Sequence, residues 1–241
     1  MSLSRVGLLV ALLTGISLSP SLVLAQRTPG VHAGTWRYSA VVQSGDQRQD
    51  LGVRTVTVAR ITTDHEDTWL VVMSMQIQGQ ALTDSVVMRR TNLAPVSRHT
   101  VTTDSDLLLA TDDSMAHGLL TAGHQLVPLN VRLGERSFLN YYSLRAALAE
   151  LPLGQGWAGT ASVLELGREP VFSPVTLTVA GEEHIKTDAG EFDCWHVAVK
   201  GTGIDENYWV AKDTHDVVRT REPIGSQGAM LQLELVSAAA K

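Results

Sequence analysis

The segment Trp69-Leu70-Val71-Val72-Met73-Ser74-Met75-Gln76-Ile77-Gln78 decides the fold class of this 241-residue chain. Every second residue of it is apolar, and the alternate positions near its end carry Ser74, Gln76 and Gln78. Successive side chains of a strand point to opposite faces, so this alternation predicts a strand with one buried face and one face toward water. The residues expected on the buried face are Trp69, Val71, Met73, Met75 and Ile77.

The same two-residue alternation, interrupted by turn-forming residues at short intervals, continues on both sides of this segment. Leu231, Leu233 and Leu235 repeat it near the C-terminus, opposite Gln232 and Glu234. Strands are predicted at 35–43, 53–62, 69–78, 83–90, 96–103, 107–111 and 115–121, and again at 157–166, 175–185, 192–201, 207–211, 217–221 and 230–237. The sequence therefore predicts a mainly β protein. Residues 34–237 are expected to form a single domain, either a curved antiparallel sheet or an open barrel.

One short helix is expected between the two groups of strands, at residues 141–151. Leu144, Leu148 and Leu151 recur there at the i, i+4 and i+7 spacing of a helix face. Asn140 is a suitable N-cap, and Pro152 is expected to stop the helix.

The first 25 residues have the pattern of a secretory signal peptide. Arg5 precedes an apolar run, and Val23-Leu24-Ala25 offers a small-residue cleavage step before Gln26. The mature protein is therefore expected to begin at Gln26 and to be periplasmic or secreted. No cysteine stands at the cleavage step, so a lipid anchor is not expected. Residues 26–33 are interpreted as a polar leader, and residues 238–241 as a frayed tail.

Composition excludes several classes of protein. Cleavage after Ala25 removes Arg5 and leaves 18 basic against 25 acidic residues, a net charge of −7 without any basic cluster, so nucleic acid is not an expected partner. Cys194 is the single cysteine, so no intramolecular disulfide can form. The mature chain has no apolar run of the ~20 residues that a transmembrane helix needs. No catalytic residue, metal ligand or cofactor site is predicted, and the oligomeric state is left open.

Motifs of the C-terminal half resemble an exported bacterial family known as domain of unknown function 3108. The residues that carry the resemblance lie between Leu144 and Leu235: Leu144-Arg145, residues 151–156, 179–183, 187–194 and 207–211, Val217-Val218-Arg219 and Gly228. The resemblance implies a strongly curved all-β sheet and a periplasmic or outer-membrane-associated setting, and it supplies no catalytic residues. In architecture alone, the chain is also similar to lipoprotein carriers, whose open β-barrel holds acyl chains under a helix.

Three functional hypotheses follow. The first is a non-enzymatic exported domain that binds an apolar or amphipathic small molecule, or an envelope protein. The predicted ligand-lining residues are Trp69, Met73, Met75, Leu144 and Leu148, because tryptophan and methionine on a concave sheet face can form a ligand cavity. The alternatives are a structural or interaction module with a filled core, and a hydrolase with an unrecognised site.

Overall fold

The computed structural model of the protein describes residues 30–77, 79–167, 169–224 and 228–240. The strands of these residues are β1 Gly34–Ser44, β2 Gln47–Thr63, β3 Glu66–Ile77, β4 Gln80–Arg89, β5 Pro95–Val101, β6 Ser105–Thr111, β7 Met115–Ala122, β8 Gln125–Arg132, β9 Ser137–Phe138, β10 Ala158–Glu165, β11 Val171–Thr187, β12 Gly190–Gly201, β13 Ile204–Ala211, β14 Val217–Ile224 and β15 Ala229–Ala240. The helix α1, Tyr141–Ala147, is followed directly by a 3₁₀ turn, Leu148–Glu150.

All of these strands belong to one curved sheet, which does not close into a barrel. Strands β1 to β8 form an antiparallel meander, and β10 to β15 form a second one. The two meanders join where β1 pairs with β15, while β8 and the short β9 are the outer strands. The predicted fold class, a mainly β domain with a curved antiparallel sheet and one short helix, is confirmed.

The faces of β3 follow the predicted alternation. Trp69, Val71, Met73 and Met75 are between 1 and 5% exposed, whereas Ser74 and Gln76 are exposed. The Ile77 side chain and Gln78 lie outside the described residues. On β15, Leu231, Leu233 and Leu235 are buried as expected. The inner face of the sheet therefore carries the core, because these side chains all belong to one apolar cluster.

The helix begins where the sequence predicts but ends earlier. Asn140 accepts a hydrogen bond from the Ser143 backbone N–H at 2.8 Å, and the Ser143 hydroxyl accepts one from the Asn140 N–H. The α-helix stops at Ala147, and Leu151 already has an extended backbone. Pro152 explains this end, since a proline disfavours the helical conformation in the residue before it.

Both ends of the described chain are attached to the rest of the fold, one to the sheet and one to the helical segment. The predicted frayed tail is wrong for residues 238–240, because Ala238 and Ala239 pair with Trp36 and Thr35 of β1. Lys241 lies outside the described residues, as does the predicted signal peptide. At the other end, Val31 of the leader is buried, and its N–H donates to Oε1 of Glu150 at 2.9 Å.

Strand β8 was not among the predicted strands. Its sequence, Gln125-Leu126-Val127-Pro128, contains a proline, which argues against a central strand because proline donates no hydrogen bond to its neighbour. The sheet places β8 at its edge, where that loss is tolerated.

Candidate ligand-binding clefts

The helix lies on the concave side of the sheet. Leu144 and Leu148 are fully buried in the core cluster, and α1 packs against β3. The Arg145 guanidinium lies over the Tyr38 ring of β1, 4.0 Å from its centroid. Two of the clefts that border the helical segment are wide enough for a small molecule, one lined by its C-terminal half and one by its N-terminal residues.

The first, called here the Trp157 cleft, has a volume of about 600 Å³. It lies between the β4–β5 turn, the β8–β9 connection, the helical segment and the start of β10. About half of its lining is apolar, contributed mainly by Leu93, Leu133, Phe138, Leu144, Leu151 and Trp157. Leu93 comes from the β4–β5 turn and the others from the stretch between β8 and β10, so the curvature of the sheet assembles the cleft.

Charged side chains surround the opening of the Trp157 cleft. Asp113, Arg136 and Glu150 are exposed, and Arg90 is partly buried. Arg90 donates from Nη1 to Oδ2 of Asp67 at 3.1 Å. The cleft thus combines apolar side chains with a polar rim of both charge signs, an arrangement that suits an amphipathic molecule.

The second, called here the Tyr141 cleft, has a volume of about 490 Å³ and is lined mainly by Asp84, Arg98, Asn140, Tyr141, Tyr142, Leu164, Glu165 and Glu222. Asp84 and Arg98 form a two-point ion pair, with Nε and Nη2 of the arginine 3.0 and 2.9 Å from the two carboxylate oxygens. Thr100 also donates to Asp84, and Arg98 Nη1 donates to the Leu139 carbonyl. One wall of this cleft therefore consists of polar groups that are hydrogen-bonded to one another.

Behind the Tyr141 cleft lies a group of buried polar side chains. Tyr208 donates a short hydrogen bond to Oε2 of Glu206, two residues away on the inner face of β13. Burial, reinforced by repulsion from Glu222, raises the pKa of Glu206 to about 8. Glu222 is held by Arg54, whose Nη1 lies 3.4 Å from Oε1 of the carboxylate. Burial also raises the pKa of Tyr142 to about 12.

The five residues predicted to line a ligand are brought to the interior, but they do not share one cleft wall. Trp69, Met73 and Leu148 are between 0 and 3% exposed and closely packed. Leu144 borders the Trp157 cleft, whereas Met75 borders a separate open groove near the β3–β4 turn. Contact of these residues with a ligand stays a prediction.

The sequence interpretation missed the buried polar group, although a signal for it exists. Glu206 lies two and four residues from the inward-facing Tyr208 and Val210, so it is on the same face of its strand. Arg54 is related in the same way to Val56 and Val58. A charged residue at a core-facing position of a strand indicates a buried polar site, since such residues are rarely buried without partners.

Neither the cysteine nor the histidines form a reactive or metal-binding group in the described part of the chain. Cys194 is fully buried, and burial together with nearby carboxylates raises the pKa of its thiol to about 12. Such a thiol is not a nucleophile at neutral pH. No cluster of three or more possible metal ligands is found among the residues the structure describes.

The fold and these clefts define a curved-sheet domain with an internal helix. The sequence matches the model of a family described as "Protein of unknown function (DUF3108)" over residues 35–233. The chain belongs to this family, as its C-terminal motifs indicated, and the match also includes the N-terminal half. No curated protein matches the sequence significantly.

Two solved structures illustrate the fold likeness. The hypothetical lipoprotein YmcC from Escherichia coli (K12) shares 15% identity and a TM-score of 0.37, with 84% of each chain covered. A DUF1329 family protein from Desulfovibrio piger shares 9% identity and a TM-score of 0.27, with coverage of 87% of this chain and 86% of the other. No argument about ligand or activity rests on either likeness. None of the helices in the described ranges is long and apolar enough to cross a bilayer.

Proposed function

We propose that this protein is an exported, non-enzymatic binding protein that holds an apolar or amphipathic molecule in the Trp157 cleft. The observation that carries the proposal is the cleft itself, about 600 Å³ of space whose lining is half apolar and whose rim is charged. Small-molecule sites typically measure about 300–1,000 Å³. Export rests on the signal-peptide pattern of residues 1–25.

The apolar side chains of the wall predict how affinity depends on the ligand. Burial of each methylene group is worth about 0.8 kcal/mol, so affinity increases with alkyl chain length until the cleft is filled. The rim supplies Arg90 and Arg136 for an acidic head group, and Asp113 and Glu150 for a basic one. The rim charges therefore do not select one type of head group. The apolar side chains of the wall select a ligand with an alkyl or aromatic body.

A titration with a dansyl-labelled fatty acid tests the proposal. Leu151 is half-buried in the cleft wall, so Leu151→Asp is expected to weaken binding by about tenfold or more, because it removes apolar contact and adds a charge. Leu148 is unsuitable for this experiment, since it is fully buried and an aspartate there would unfold the protein. The matched control is Leu119→Asp, at an exposed position of β7.

Saturable binding that Leu151→Asp weakens and Leu119→Asp leaves unchanged supports the proposal. A folded wild-type protein that binds neither this probe nor shorter and longer alkyl homologues contradicts it.

A second function, as a protein-interaction module, is favoured by one specific observation. Leu108, Leu119 and Leu126 on β6, β7 and β8 are 58, 49 and 69% exposed, and Leu108 is paired with Leu119. Exposed apolar side chains that lie together at the edge of a sheet can contact another protein. In that case Leu119→Asp would weaken capture of an envelope partner, while ligand titrations would show no binding to the clefts.

A further inference from the structure

Five buried polar atoms near the N-terminal end of α1 have no hydrogen-bond partner. They are Arg54 Nε, Tyr141 Oη, Arg145 Nη2, Glu165 Oε1 and Thr220 Oγ1. Arg54, Arg145 and Thr220 are only 5, 6 and 4% exposed. Nearly all buried polar atoms in proteins are paired, because an unpaired one has lost its hydrogen bonds to water without replacement. Such a concentration at one place indicates that a group from outside the chain completes these hydrogen bonds.

The five residues line two adjoining spaces that share part of their lining. Arg54, Tyr141, Arg145 and Thr220 line a pocket of about 10 Å³, which is enough for a single oxygen atom. Tyr141, Tyr142 and Glu222 line both this pocket and the Tyr141 cleft, and Glu165 lines the cleft. The small pocket therefore accepts one polar atom of a larger molecule, whose remainder has about 490 Å³ outside it.

Charge decides the chemistry of that molecule. The arginines that line the two spaces, Arg54, Arg98 and Arg145, are equal in number to the lining carboxylates Asp84, Glu165 and Glu222, so the two signs balance. An oxyanion offers acceptors alone and would leave Glu165 Oε1 without a donor. An ammonium group offers donors alone and would leave the free N–H groups of Arg54 and Arg145 without an acceptor.

A hydroxyl group meets both needs, because it donates one hydrogen bond and accepts others. Its oxygen can accept from an arginine N–H while its hydrogen is donated to a carboxylate. The rings of Tyr141 and Tyr142 and the Leu164 side chain add apolar contact around the same space.

We propose that the Tyr141 cleft is a second binding site, for a small neutral molecule rich in hydroxyl groups such as a sugar, with one hydroxyl seated among Arg54, Tyr141, Arg145 and Thr220. This site is separate from the Trp157 cleft and does not depend on the function proposed there.

The proposal is tested by titrating the ¹⁵N-labelled wild-type protein with three probes in parallel: D-glucose, sodium phosphate and methylammonium chloride. D-Glucose is expected to produce saturable shifts of the backbone amide signals of Tyr141, Tyr142, Leu164 and Glu165, whereas the two ions do not. Thr220→Val keeps the shape of the side chain and removes one hydroxyl. It is expected to weaken D-glucose binding about fivefold, the equivalent of one neutral hydrogen bond.

Thr176→Val is the matched control, since Thr176 is exposed on β11 and should leave the titration unchanged. The proposal is overturned if phosphate or methylammonium shifts these signals in preference to D-glucose. It is also overturned if no probe shifts them and a crystal structure grown with D-glucose shows a single ordered water in the pocket.

Discussion

Asn140 and Asp84 connect the helix to the wall of the sheet: Nδ2 of Asn140 donates to Oδ2 of Asp84 on β4 at 2.9 Å. The same Asn140 caps α1 through its side-chain oxygen. Asp84 is 4% exposed, and its charge is compensated by Arg98. One buried carboxylate therefore fixes both the N-terminus of α1 and the strand behind it, so the two clefts keep their places on either side of the helix.

Replacing this carboxylate should be costly. Asp84→Ala leaves the Arg98 charge inside the protein without its partner, and we expect a loss of about 3–5 kcal/mol in the free energy of unfolding. Urea denaturation followed by circular dichroism measures it. The control is Asp106→Ala, which removes a carboxylate from an exposed pair with His99 and should cost less than about 1 kcal/mol. Equal losses in the two variants would show that the buried pair does not anchor the helix.

The faces of β3 give a second prediction. Met73 is 1% exposed, so Met73→Lys places an unpaired charge in the core and should destabilise by several kcal/mol. Gln76 is exposed on the same strand, and Gln76→Lys should change stability by only about 0.5 kcal/mol. Thermal melting of both variants provides the comparison. A similar fall in melting temperature would mean that the two faces have been assigned the wrong way round.

The sequence predicts the fold class well because alternation is a local property. From Met73 to Gln76, apolar and polar residues sort to the two faces of β3 as the sheet requires. The same local signal misses β8, since whether Pro128 is tolerated depends on the position of the strand at the edge of the sheet. It also fails for the tail, because pairing of Ala239 with Thr35 depends on the joining of the two meanders.

The clefts are harder to predict, for a geometric reason. Leu93, Phe138 and Trp157 meet in one cleft only because the sheet curves around the helix. The sequence around each of these three residues does not indicate that they lie close together in the fold. The buried polar residues can be predicted in part. The spacing of Glu206 along its strand places it on the inner face, but its neighbours Glu222 and Arg54 come from other strands and cannot be inferred from that spacing.

Export gives a third prediction. The mature protein isolated from the periplasm should begin at Gln26, because Val23-Leu24-Ala25 is the small-residue step after the apolar run. N-terminal sequencing or intact mass determines the first residue. An Ala25→Arg variant should accumulate as the uncleaved precursor, whereas Gln26→Asn should be processed normally. Recovery of the wild-type chain uncleaved in the cytoplasm would refute the prediction.

The pKa of Glu206 gives the last prediction, a dependence of stability on pH. Burial raises this pKa to about 8 from its ordinary value of 4.5, against the opposing effect of Tyr208, Arg145 and Arg54. Below about pH 4.5 the carboxyl group is protonated in both folded and unfolded protein. As the pH rises toward 8, the unfolded chain has released this proton while the folded protein still holds it. Ionisation thus increasingly favours the unfolded state, and this contribution to the free energy of unfolding falls by at most about 1.4 kcal/mol per pH unit.

Glu206→Gln should remove that dependence, because glutamine does not ionise and its side-chain oxygen can still accept the hydrogen bond from Tyr208. The variant should therefore gain stability relative to the wild type between about pH 5 and pH 8, and the gain should level off above that range. Urea denaturation of both proteins across this interval measures the difference, in which contributions from the histidines largely cancel. Glu191→Gln is the control, since Glu191 is exposed and Lys186 and His184 lower its pKa. If the Glu206→Gln and wild-type curves run parallel from pH 5 to pH 8, the side chain ionises as it would in water and the buried position assigned to it is incorrect.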